Sequence, residues 1–146
     1  MTDWFRALSA IVNRHEPAAE PRALPRAAAA LLLEMAATEE GFDAVELDAV
    51  HAAMRQTFDI DERELDALLE EAHTARRQSV SLYDFTESLR RGLSPGQRGD
   101  LVEWLWRVAF ADQRIGDHEA HLVRKAADLL GVSQDEYIRR KLRVLE

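Results

Sequence analysis

Two stretches of this 146-residue chain repeat the same pattern 73 positions apart, and that repeat restricts the fold more than any other feature. At this spacing Leu32 pairs with Leu105, Ala36 with Ala109, Glu39 with Asp112, Phe42 with Ile115, Glu46 with Glu119 and Val50 with Val123. After one deleted position a spacing of 72 pairs Phe58 with Leu130, Ile60 with Val132, Asp61 with Ser133, Glu64 with Glu136 and Leu65 with Tyr137. Each half reads as a buried helix, a short acidic turn, a helix, a tight turn and a helix. The two leading helices, Ala27–Ala37 and Leu101–Ala111, are apolar on nearly every face, so other helices must cover them. A compact all-α bundle with two similar halves and the two acidic turns in related places is therefore expected.

Local signals extend this to about eight helices. Trp4, Phe5, Leu8, Ile11 and Val12 share one side of an N-terminal amphipathic helix over residues 1–15. Pro17, Pro21 and Pro25 make residues 16–26 an extended connector. The duplicated core then runs over 27–146, and the whole chain is read as a single domain. Asp61 with Glu64, Ser81, Ser94 with Pro95 and Gln97, and Ser133 with Glu136 are helix starts, while Gly92 and Gly131 are stops. No strand candidate stands out.

Composition excludes several functions. With no cysteine the chain has no disulfide scaffold, thiol nucleophile or cysteine metal cluster. The longest apolar run, residues 27–33, is far below the roughly 20 residues needed to cross a bilayer. The first fifteen residues lack the apolar stretch of a secretory signal, which makes a cytoplasmic location the default. A net charge of −8 disfavours nucleic acid and anionic lipid as partners. The charge is concentrated: residues 27–75 hold two arginines against thirteen acids, whereas the chain ends on the basic run RRKLR.

Glu39 and Glu46 in the first half, with Asp112 and Glu119 in the second, are the residues best suited to chemistry. Each half offers one carboxylate where a core helix ends and another seven residues on, so four hard oxygen donors of the kind that hold Ca²⁺ or Mg²⁺ can converge. The spacing does not fit an EF-hand. The same acids also fit ordinary helix caps, with Asp43 and Glu46 as one capping pair, Glu119 serving the helix that follows Gly116, and Glu39 and Asp112 as solvated helix ends or acceptors for the next turn's amides. His118 and His121 lie three apart beside Asp117 and Glu119 but lack further zinc ligands, and His15, His51 and His73 have no catalytic partner in the sequence. The serines sit at caps rather than in a nucleophile elbow, and the glycines form no phosphate loop. Trp104 and Trp106 face different sides of one helix, one suited to the core and one to an interface. Trp4, Phe5, the two tryptophans and the basic residues Arg139, Arg140 and Lys141 make up the candidate interaction surface, with a protein dock or a homodimer as its use.

Residues 101–143 carry a more specific signature: Ala111-Asp112 ending an apolar helix, Glu119 seven residues later, and a Leu-Leu-Gly continuation from Leu129 to Glu136. The segment resembles the TerB family of tellurite-resistance proteins and the related TerB-like domain found beside J-domain co-chaperones. Residues 30–46 give a weaker echo. The resemblance implies an all-helical protein with duplicated halves whose acidic residues, here Glu39, Glu46, Asp112 and Glu119, bind a cation such as Ca²⁺, Mg²⁺ or Mn²⁺. It also implies a role in stress and tellurite tolerance, exercised through assemblies near the inner membrane. The chain departs from the common Asp-Gly turn by presenting Asp112-Gln113-Arg114. The reading that follows is a non-catalytic interaction or sensor module. A metal-dependent enzyme acting on a small anionic substrate and a structural dimerisation module are the alternatives.

Overall fold

The computed structural model describes residues 23–38, 41–58, 60–78 and 82–145. The expected N-terminal helix with Trp4 and Phe5, most of the proline-rich connector, Glu39 and the Ser81 cap lie outside them. The described residues form seven helices: α1 Ala23–Ala36, α2 Ala44–Thr57, α3 Glu62–Gln78, α4 Leu82–Gly92, α5 Pro95–Ala109, α6 Asp117–Leu130 and α7 Gln134–Leu145. Between α1 and α2 a two-residue antiparallel ribbon, β1 Ala37–Thr38 with β2 Gly41–Phe42, pairs Ala37 with Phe42 and Thr38 with Gly41.

Helix α1 starts at Ala23, two residues ahead of Pro25. Proline is tolerated there because first-turn amides have no acceptor within the helix. The helix is the hub of the bundle, packing against α2, α3, α4 and α5. Ala23, Ala27 to Ala30, Leu31, Leu32, Leu33, Met35 and Ala36 are all buried, and the alanines let neighbouring helices approach closely from several sides. Helix α5 plays the matching part in the second half, burying Leu101, Val102, Leu105, Trp106, Val108 and Ala109 against α6 and α7. As α1 holds α2 and α3, so α5 holds α6 and α7. The halves meet where α1 packs on α5 and α2 crosses onto α5, and α4 bridges α1 and α6.

The caps form as the local sequence requires. Ser94 and Gln97 bond reciprocally across the start of α5, with the Gln97 amide donating to Ser94 Oγ at 3.1 Å and the Ser94 amide donating to Gln97 Oε1 at 2.8 Å. Asp61 and Glu64 do the same at α3, at 2.8 and 3.4 Å. Gly131 closes α6 at φ +76°, and the Val132 amide donates to the Ala127 carbonyl at 3.0 Å.

An ionic lock joins α5 to α7. The buried Glu103 carboxylate accepts from Arg107 at 2.8 Å and from Arg140 at 3.1 Å, with Arg143 at 3.6 Å. Arg140 also donates to Asp100 and Glu136, each at 2.6 Å. Gly99 makes the approach possible, since a Cβ there would lie 3.0 Å from the Arg140 guanidinium and 3.1 Å from the Glu136 carboxylate.

Candidate metal centre

The centre lies where the start of α2 meets the turn between α5 and α6. Its first half begins at Asp43, whose amide donates to the Ala36 carbonyl at 3.0 Å and so ties the entry of α2 to the end of α1. Asp43 Oδ1 accepts the Glu46 amide at 2.9 Å and caps the helix. In the second half Asp112 Oδ1 accepts the Arg114 amide at 3.0 Å, and Glu119 Oε1 accepts the Gly116 amide at 3.0 Å. The capping roles expected of Asp43, Asp112 and Glu119 are therefore present.

Capping does not use up these carboxylates. Asp43, Glu46 and Asp112 each place one oxygen so that all three lie within 4.8 Å of one another. Glu119 is outside this set of three and adjoins it through a hydrogen bond with Glu46. The structure thus brings together Glu46, Asp112 and Glu119 of the expected set, while Glu39 is outside the described residues. It adds Asp43, which the sequence marks only as a cap. The signal was present in principle, because a capping acid and the acid three residues later share one turn.

The electrostatics are unusual. Glu46 is 4% exposed, and its carboxyl is pushed up from 4.5 to about 8. Burial contributes most, followed by the hydrogen bond with Glu119 and then the negative charges of Glu119, Asp43 and Asp112. Protonated Glu46 donates to the Glu119 carboxylate, so a proton holds two mutually repelling acids together. The largest influences on Glu46 are thus its burial and its acidic neighbours. Exposure rises outward, from buried Glu46 through half-buried Asp43 and Glu119 to exposed Asp112, leaving the centre open on one side.

These donors fit a hard divalent cation. They are all oxygens, and three points no more than 4.8 Å apart share a centre no more than about 2.8 Å from each, close to the roughly 2.3–2.6 Å of Ca²⁺ coordination.

The other candidate residues lie elsewhere. His118 and His121 are exposed on α6, and among the described residues neither joins a set of three donors close enough to share an ion. His73 is half-buried, with Phe42 edge-on at 5.0 Å. Trp106 is 1% exposed, tilted against Tyr137 at 5.9 Å with Lys141 Nζ 5.2 Å above its ring. Trp104 is half-buried, carries the Arg107 guanidinium at 5.1 Å, and lines an open cleft of about 430 Å³ with Phe58, Leu93 and Leu101. Arg140 is engaged in the lock on Glu103, and Arg139 pairs with Glu136.

A family model described as "Tellurite resistance protein TerB" matches residues 25–142, which includes every described member of the acidic centre. No curated protein and no solved structure matches the chain.

Proposed function

The chain belongs to the tellurite resistance protein TerB family, and from that premise we propose that it is a non-catalytic interaction module whose two halves are coupled by a divalent cation at Asp43, Glu46, Asp112 and Glu119. The observation that carries this reading is the buried Glu46 carboxyl, which faces three other acids and has its pKa pushed up to about 8. Buried acids without a cationic partner are costly. A metal ion relieves that cost by replacing the proton.

Asp43 and Glu46 belong to the start of α2, and Asp112 and Glu119 to the α5–α6 turn, so a bound ion draws the first half onto the second. The surface presented by the two halves then depends on occupancy, which is what a sensor requires. The family's link with tellurite resistance supports a role for this module in a stress response. Among the described residues no helix is long and apolar enough to cross a membrane; association with the inner membrane from the cytoplasm, through a protein partner, is part of this proposal. The half-buried Trp104 in its cleft and the basic end of α7 are the surfaces offered for docking.

Calorimetric titration of metal-stripped protein with Ca²⁺, Mg²⁺ and Mn²⁺, repeated on the D112N/E119Q variant, tests the cation reading. Saturable heat in the wild type that is lost in the variant is the expected result. Absence of saturable heat with all three ions overturns it.

A further inference from the structure

We propose that His51, Glu62 and Asp66 form a second cation site, separate from the acidic centre, which takes a borderline transition-metal ion of the Zn²⁺ type. His51 lies midway along α2, half-buried, while Glu62 and Asp66 lie one turn apart on the facing side of α3. One ligand atom from each residue falls within 4.8 Å of the other two. The sequence hides this arrangement, because His51 and its partners are on different helices and no local motif spans the turn between them.

The donor set determines the class of ion. One imidazole nitrogen and two carboxylate oxygens suit Zn²⁺ and its neighbours, whereas the all-oxygen centre suits Ca²⁺, Mg²⁺ or Mn²⁺. Water would complete the shell from the exposed side of Glu62 and Asp66. Placement in the acidic first half adds a favourable field for a cation.

The site is not a by-product of the internal repeat. The residues that match His51, Glu62 and Asp66 at the repeat spacing are Arg124, Gln134 and Ile138, which offer no comparable donors. The second half therefore keeps the helical frame without the ligands.

Arg55, one turn beyond His51, competes for the site. Its Nη1 donates to Glu62 Oε1 at 2.9 Å and to Oε2 at 3.3 Å. Both side chains are exposed, so this pair is weak and a metal ion can displace it. Removing Arg55 frees a ligand and removes a positive charge at once.

The test uses the full chain, stripped of metal and saturated with Ca²⁺, titrated with Zn²⁺ alone and followed by calorimetry and by histidine side-chain NMR. One saturable Zn²⁺ event that shifts the His51 ring signals is expected. His51→Ala should weaken it at least about tenfold, as should E62Q or D66N, whereas Arg55→Gln should tighten it several-fold. The D112N/E119Q variant should retain wild-type Zn²⁺ affinity, which separates this site from the acidic centre. Zn²⁺ affinity unchanged in the H51A variant, or no saturable Zn²⁺ binding, overturns the proposal. All six altered side chains are half-buried or exposed, and circular dichroism checks that each variant folds.

Discussion

Glu46 and Glu119, 73 residues apart and equivalent within the internal repeat, meet in a shared hydrogen bond at the junction of the two halves. The proton between them makes the junction sensitive to pH.

Metal-free protein should lose stability as pH rises from about 5 to about 8 and then level off. Within that window folded Glu46 retains a proton that an unfolded carboxyl, at 4.5, has already released, so raising the pH favours the unfolded chain until the folded value of about 8 is passed. Glu87, held at about 2 by its hydrogen bonds from Arg90 and Arg91, acts in the opposite sense and only below about 4.5. Thermal melts in chelator across pH 5 to 9 measure the effect. Glu46→Gln should flatten the slope, and an unchanged slope in that variant would assign the dependence to another group.

Cation affinity should show the complementary trend. Filling the centre displaces the Glu46 proton, so binding of Ca²⁺ or Mn²⁺ releases a proton below about pH 8 and tightens as pH rises toward that value. At an ion concentration of about 100 times Kd the melting transition should gain roughly 2.7 kcal/mol, and chelator should remove that gain. Calorimetry in two buffers of different ionisation enthalpy counts the released proton directly.

What could be read from the sequence divides along a physical line. Ser94 with Gln97, Asp61 with Glu64, and Gly131 act on backbone within one turn of themselves, so their residue types are enough to place them. Glu46 and Glu119 were legible for a different reason, since the repeated pattern has an acid at each of two positions 73 residues apart. Asp43 could be placed beside Glu46 only through their shared turn, and His51 facing Glu62 and Asp66 was not legible. Helical periodicity tells which face a residue occupies, but not which residue of another helix crosses it. The ionic lock was hidden for the same reason, because nothing near Glu103 in the chain marks Arg140 as its partner.

Gln113→Gly should stabilise the protein by up to about 1 kcal/mol. Gln113 adopts φ +68°, a left-handed conformation that costs a residue with a Cβ but not glycine. The turn after α5 thus has a left-handed residue at the position where the common Asp-Gly turn has glycine. The gain is limited because glycine also adds freedom to the unfolded chain. A higher urea midpoint at unchanged slope checks it, and a lower midpoint would show that the Gln113 side chain makes a contact worth more than the backbone strain.

Arg140→Ala should destabilise the protein by roughly 1.5–3 kcal/mol, while Arg139→Ala should cost no more than about 0.5 kcal/mol. The two residues are neighbours in the basic run, but their surroundings differ. Arg140 is 12% exposed and binds Asp100, Glu103 and Glu136, whereas Arg139 is 68% exposed and pairs only with Glu136 among the described residues. Losing Arg140 leaves Glu103 buried with Arg107 and Arg143 as its remaining cations, which keeps the penalty below that of a fully orphaned charge. Urea unfolding of both variants measures the difference. Equal losses would mean that the lock contributes nothing beyond general helix stability, and would leave Trp106 with Tyr137 as the main attachment of α7.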